Sequence, residues 1–240
     1  SFIRLQRYEI ETKCKEVELK SYFSFLLFNK SKVFFNNKKN KLPLHHIQQY
    51  MTKGIVIKPR KETKITDEQI FALLRESYQQ WMDSGLESPW RDFNGEDYER
   101  FRKFAQRATV FVALDAETGE LLGTHSLRAN RKTKKVNGSC LAVFPKAKRR
   151  GVATQMLRYE EERIRKAGYK CICENTAVDA EWSVNWHLRN GFRIIGFFHS
   201  EGNNYNSYAF RKQLVPSLIW ENSLFCRCRY LISYLVTRFL

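Results

Sequence analysis

The segment LAVFPKAKRRGVATQML, from Leu141 to Leu157, constrains this chain more than any other. An apolar run that reads as a strand passes through Pro145 into four cations among six residues, then Gly151, then a pattern with helical spacing. A helix that begins so soon after a strand presents unpaired backbone N–H groups and the positive end of its dipole at the junction. Gly151 carries no Cβ, so the backbone there can approach a bulky anion, and Ala153 leaves room two residues on. Lys146, Lys148, Arg149 and Arg150 ring the same point. Together these features make a phosphate cradle. The competing reading is a surface loop of solvated cations in which Gly151 serves a turn. The Gly-x-Gly-x-x-Gly of a dinucleotide fold and the Gly-x-x-x-x-Gly-Lys-Ser/Thr of a P-loop are both absent, which removes those two phosphate binders.

Short elements alternate on either side of this junction. In MTKGIVIKPRKET, which opens at Met51, Ile55 and Ile57 alternate as in a strand. Thr66 followed by Gln69 is a capping-box pattern, and Ile70, Leu74 and Trp81 recur at helical spacing to about Gly85. A second helix is expected from Glu96 to Arg107. TVFVALD (Thr109–Asp115), LLGTHSLR (Leu121–Arg128) and GSCLAVF (Gly138–Phe144) read as strands, the first two joined by the turn DAETGE. The helix after Gly151 carries Val152, Met156, Leu157, Ile164 and Ala167 on one side, with Glu161, Glu162, Arg165 and Lys166 on the other. Gly168 ends it, KCICENT makes a strand, and DAEWSVNWHLRNGF makes a short helix closed by Gly191. RIIGFFH and YNSYAFRKQ form a hairpin. Hairpins early and a strand–helix–strand crossover late define an α/β fold, with a mixed sheet and helices on both faces.

The Leu141–Leu157 segment resembles the signature of the GNAT superfamily of coenzyme-A-dependent N-acyltransferases. That signature is an apolar strand, often a proline, then Gln/Arg-x-x-Gly-x-Gly/Ala opening a helix, read here as Lys148-Arg149-Arg150-Gly151-Val152-Ala153. WHLRNGF (Trp186–Phe192) is similar to the family's aromatic-x-Lys/Arg-x-Gly-Phe ending, and LDAETGELLG to its hairpin. The resemblance covers roughly residues 53–213. It implies a mostly antiparallel sheet that splays between its two central strands, with acetyl-CoA as co-substrate and no metal. Backbone N–H groups from Arg149 through Val152 and Ala153 to Thr154 would hold the diphosphate, with Lys148, Arg149 and Arg150 around it. Leu141, Ala142 and Val143 would pair with the pantetheine amides, and the thioester would sit where this strand and Cys171–Asn175 part. The Val143 N–H would polarise the thioester carbonyl. Lys148 stands where the family has Gln or Arg, and Ala180 where it often has Asn.

Acyl transfer to an amine needs a neutral amine, a polarised carbonyl and a proton for the departing thiolate. The resemblance puts His187 at the place of a tyrosine that supplies this proton, a task suited to an imidazole near neutral pH. The alternative is a histidine packed against Trp182 and Trp186. Glu174, at the strand end beside the expected splay, is the best-placed base and His125 the second; an exposed strand-end acid and a water chain are the alternatives. The acceptor would lie over GLESPWRDFNGEDYERF (Gly85–Phe101), where Trp90, Asp92 and Phe93 could hold a cationic amine beside His125. Equally, these aromatics could fill core.

The reading is thus an N-acetyltransferase with a small-molecule or peptide amine acceptor, acting by direct attack in a ternary complex. A longer-chain N-acyltransferase at a membrane surface and a non-catalytic acyl-CoA-binding module are the alternatives. Net charge is +17 and general to the chain, so nucleic acid ranks last among the partners. The six cysteines, with no Cys-x-x-Cys spacing, read as reduced thiols of a cytoplasmic protein. Residues 1–50 read as a basic extension and 51–214 as the acyltransferase domain. Residues 215–240 read as an amphipathic tail with Leu224, Cys228, Leu231, Ile232, Leu235 and Phe239 on one stripe. This tail would dock on the domain or a second copy in a homodimer, or touch the inner membrane face through residues 217–240.

Overall fold

Seven strands form one sheet in the order β1-β2-β3-β4-β5-β7-β6. They are β1 (Ile55–Pro59), β2 (Thr109–Asp115), β3 (Leu121–Asn130), β4 (Lys135–Val143), β5 (Cys171–Ala177), β6 (Arg193–His199) and β7 (Asn206–Gln213). The helices are α1 (Asp67–Asp83), α2 (Gly95–Gln106), α3 (Val152–Lys166), α4 (Glu181–Arg189) and α5 (Ser223–Phe239). The computed structural model describes residues 54–216, other than 89, 91, 92, 200 and 201, together with 223–239. The expected extension over residues 1–50 and the candidate Asp92 lie outside the described residues.

Local chemistry sets the element ends. Thr66 Oγ1 accepts from the Gln69 N–H while Gln69 Oε1 accepts from the Thr66 N–H, so the capping box forms and starts α1. Asn94 caps α2 through the Asp97 N–H. On one face of the sheet α1 and α2 bury Ile70, Leu73, Leu74 and Phe101 against Val110, Val112, Leu121 and Ala142. On the other, Val152, Met156, Leu157 and Ile164 of α3 pack on Leu122, Leu127, Val136, Ile172 and Phe210. Burying a side chain such as Leu157 contributes about 1.5–3 kcal/mol.

All strand pairs are antiparallel except β4 and β5, which are parallel because α3 crosses over between them. Their ladder holds only three pairs, from Lys135↔Cys171 to Asn137↔Cys173. The strands then part, while β4 continues to Val143 and β5 to Ala177 with β7 on its far side. A bulge accompanies the parting. Ser126 pairs with Ser139 and Thr124 with Ala142, so β4 spends one extra residue there, and Cys140 adopts φ +56°.

Two expectations change. The hairpin between β3 and β4 is longer than the apolar pattern suggested, since the ladder runs out to Asn130↔Lys135, with exposed Arg128, Asn130 and Asn137 interrupting the apolar run on either side of buried Val136. Glu161 is not on the solvent side of α3. It is buried, bonded to Arg165 Nη2 at 2.8 Å and paired with Lys212 of β7, whose long stem lets its charge reach under the helix.

Candidate active site

The junction after β4 folds as a nest. Phe144 leads into a single 3-10 turn, Pro145–Ala147, and Arg149 and Gly151 both take left-handed backbone, at φ +64° and +79°. Alternating left- and right-handed residues turn successive N–H groups toward one concavity. No side chain caps α3, and its first intrahelical bond runs from Gln155 N–H to the Gly151 carbonyl at 3.0 Å. The N–H groups of Val152, Ala153 and Thr154 therefore have no partner within the helix. A Cβ built on Gly151 would find only Gln155 Nε2, at 3.8 Å, so the positive φ fixes glycine here and the space beyond it is open. These features fit a diphosphate.

The cations around the nest are not left to repel one another. Arg150 Nη2 lies 3.0 Å from Asp115 Oδ2, Lys146 pairs with Glu120, and Lys148 donates to Gln80 Oε1. Partners on β2, the following turn and α1 thus do part of what the sequence reading gave wholly to a polyphosphate.

Val143 ends β4 with its two backbone groups pointing into the splay. The next residue, Phe144, donates its N–H to the Leu122 carbonyl on β3, so by strand alternation the Val143 amide faces the other edge. Its carbonyl accepts from Ser77 Oγ of α1 at 3.0 Å. Leu141 shares that orientation, whereas Ala142 is buried and pairs with Thr124. Asn175 is exposed on β5, two residues past the last β4 pair.

Where the strands part, four buried ionisable side chains form a chain. Glu160 Oε2 of α3 lies 2.7 Å from His125 Nδ1 of β3, and neither residue has exposed surface. His125 Nε2 lies 3.8 Å from Glu174 Oε1 of β5, and Glu174 Oε2 lies 3.0 Å from His187 Nε2 of α4. His187 Nδ1 is 2.7 Å from the Ser183 carbonyl, which can only accept, so Nδ1 carries a proton. One further proton must then lie between His187 Nε2 and Glu174.

Burial would push His125 down, but the carboxylates of Glu160 and Glu174 outweigh it and hold it up at about 9. Burial likewise opposes the charge on Glu174, yet His125 and the bond from His187 hold its carboxyl below the usual range. Glu160 is pushed up by burial. Among the described residues, no three His, Cys, Asp or Glu side chains gather as metal ligands would.

Of the candidate residues, Glu174, His187 and His125 thus come together. His187 also stacks on Phe210, ring centroids 4.6 Å apart, and meets Trp186 edge-on at 5.1 Å, so it is both packed and acid-paired. Trp182 is half exposed and contacts Trp81 instead. His125 has no surface for an acceptor, and Trp90 and Phe93 are buried against Phe71, so these two fill core between α1 and α2. Glu160 was missed. A signal existed: it falls at i+4 from Met156 and i−4 from Ile164, a carboxylate inside an apolar stripe.

A splayed parallel pair, a strand edge facing the gap and an anion nest thus follow one another along β4 and into α3. Residues 68–192 match the acetyltransferase (GNAT) family, and the chain belongs to it. Its fold is that of the ribosomal-protein-S18-alanine N-acetyltransferase from Escherichia coli, at 10% identity and TM-score 0.52 over 68% of this chain and 96% of that one. An aminoglycoside 6'-N-acetyltransferase complexed with coenzyme A is similar at 13% identity and TM-score 0.52, over 68% and 98% of the two chains. A GNAT-family acetyltransferase from Staphylococcus aureus is similar at 11% and TM-score 0.54, over 67% and 99%. No curated protein matches the chain.

Proposed function

We propose that the protein transfers an acetyl group from acetyl-CoA to a primary amine by direct attack in a ternary complex. The observation that carries this reading is spatial: β4 leaves β5 after Asn137, and its free edge leads straight to the uncapped start of α3. The diphosphate would be held by the N–H groups of Val152, Ala153 and Thr154, with Arg149 beside them. The Leu141 and Val143 edge would take the pantetheine arm, and the Val143 N–H would polarise the carbonyl. When bound, acetyl-CoA supplies the carbonyl carbon that the amine attacks; the C–S bond breaks and the sulfur takes up a proton. The proton would come from the Glu174–His187 couple, and one would return to it from the acylated nitrogen, so the couple ends as it began. His125 helps hold the charge on Glu174, the partner of His187 Nε2, and Glu160 holds His125 in place.

Thiol release from acetyl-CoA over a panel of amines, with thermal shift in parallel, tests this. Acetyl-CoA at 100 times its Kd should add about 2.7 kcal/mol of stability. His187→Phe should lower kcat about 100-fold or more and leave the thermal shift by acetyl-CoA in place. If acetyl-CoA gave no stabilisation and no amine gave turnover, the acyltransferase reading would fall; an unchanged kcat in His187→Phe would remove only the proton assignment.

A further inference from the structure

Helix α5 docks by a face that its hydrophobic pattern does not select. Cys226, Tyr230, Ser233 and Thr237, spaced three or four apart, turn toward the sheet. Ser233 Oγ accepts from the Phe197 N–H at 2.8 Å, and Thr237 Oγ1 donates to the Phe197 carbonyl at 3.2 Å. Tyr234 meets the Phe197 ring at 5.2 Å and Tyr230 meets Tyr208 at 6.1 Å, while Cys226 is buried. These bonds occupy backbone groups on the open edge of β6. Consequently Cys228, Leu231, Ile232 and Leu235 of the apolar stripe read from the sequence point away from the domain, while the side chains of Leu224 and Phe239 lie outside the described residues.

Leu231, Ile232, Leu235 and Val236 are 46, 63, 43 and 49% exposed. Among the described residues, the one other large hydrophobic side chain this exposed is Trp182, at 37%, so the patch is concentrated on α5. At 3.6 residues per turn, these four and Cys228 fill a sector of about 140°. Arg229 adjoins the sector on one side, and Arg227 and Arg238 on the other. The helix contains no Asp or Glu.

We propose that α5, while docked on β6, lies in the plane of an anionic membrane surface. The apolar sector enters the boundary between headgroups and acyl chains, and the arginines on both flanks meet lipid phosphates. Charge complementarity selects this occupant over a second copy of the chain. Two α5 faces joined by a two-fold axis would bring six arginines together with no carboxylate from either helix. No helix among the described residues is long and apolar enough to cross a membrane, so the contact is in-plane. This inference stands apart from the acyl-transfer reading.

The test is flotation of the full chain with vesicles of phosphatidylcholine alone or mixed with phosphatidylglycerol, at low and high salt. The protein should float with the mixed vesicles at low salt, much less with the neutral ones, and less again as salt rises. Ile232→Glu with Val236→Glu should abolish flotation without lowering Tm, because neither side chain faces the sheet. Arg229→Gln with Arg238→Gln should weaken partitioning roughly thirtyfold, about fivefold per charge. Absence of flotation with the mixed vesicles, or flotation unchanged by the double glutamate variant, overturns the proposal. A dimer in solution that this variant dissociates, without flotation of the parent, assigns the face to a second copy instead.

Discussion

Two charged regions lie along the splayed part of β4, one at its end and one at the point where it leaves β5, and they are built in opposite ways. The nest before α3 is made from residues adjacent in the chain, Lys146 to Gly151, and its ion pairs to Asp115 and Glu120 involve half-exposed arginine and lysine side chains. Such pairs contribute about 0–1 kcal/mol each, so they can yield to an incoming anion at little cost to folding. The chain of Glu160, His125, Glu174 and His187 is assembled from four separate elements, each residue at 8% exposure or less. There every proton position is set by a neighbour, and removing one member leaves another buried without its partner. One region can change partners. The other cannot.

The contrast is broken most severely at Glu160. Glu160→Leu should cost about 3–5 kcal/mol in urea unfolding, because His125 then lacks its Nδ1 partner while fully buried. Adding His125→Leu should restore part of the loss, since a buried pair replaced by apolar groups is often neutral. A loss below about 1 kcal/mol would mean that His125 does not depend on Glu160 for its Nδ1 partner. The same buried chain gives stability a pH dependence. His125 sits at about 9 when folded and at about 6.5 when unfolded. Its contribution is therefore complete below pH 6.5 and is lost as pH rises through about 9, a decline of about 3 kcal/mol. Glu160, also raised by burial, contributes stability that is complete below its ordinary carboxyl value of about 4.5 and is lost as pH rises above it. Glu174, lowered, stabilises above about 4.5, and that part is lost as pH drops below it. His125→Leu should flatten the alkaline limb; a flat limb in the parent would mean that His125 is neutral.

At the nest the effect should be on ligand and hardly on fold. Gly151→Glu combines a side chain at φ +79° with a like charge for the diphosphate. Acetyl-CoA should bind at least about 100-fold more weakly, near 2.7 kcal/mol by calorimetry, while folding stability falls by only about 1–2 kcal/mol. Equal affinity in this variant would move the diphosphate elsewhere.

This difference in construction also decides what can be read from the chain before it folds. The nest, the capping box at Thr66 and the limits of β2 depend on residues next to one another, so local chemistry specifies them and the sequence displays them. The partners of the nest cations do not follow from spacing, because Asp115 and Gln80 arrive from β2 and α1. The bulge at Cys140 has no local signature either; an L-residue with positive φ is tolerated there only because the surrounding sheet holds it. In α3, the helical period separates apolar from charged residues correctly for Val152 and Ile164 and misplaces Glu161, since periodicity counts faces and cannot see Lys212 waiting beneath one of them. The tail teaches the same lesson in reverse. Its apolar stripe is plain, yet two hydroxyls and an open strand edge decide which side docks.

Gly138 is where the two regions meet, and it offers the smallest and sharpest perturbation. It follows Asn137, the last β4 residue to pair with β5, and belongs to the strand that runs on to the nest. A Cβ there would lie 2.6 Å from His125 Nε2 and 2.8 Å from Glu174 Cγ, closer than packed atoms tolerate. Glycine at this position is therefore a matter of space, since the strand's backbone is ordinary and a left-handed φ is not involved. Gly138→Ala should cost about 1–3 kcal/mol, with His125 and Glu174 pushed apart as the strain is relieved. Because that separation weakens the field each feels from the other, the His125 titration should move back toward 6.5 and the alkaline fall in stability should shrink. Acetyl-CoA affinity should stay within about threefold, as the nest lies beyond the bulge and keeps its own geometry. A large loss of affinity with an unaltered pH profile would show that β4 transmits strain toward α3 rather than absorbing it at Cys140, and the two regions would then have to be treated as one.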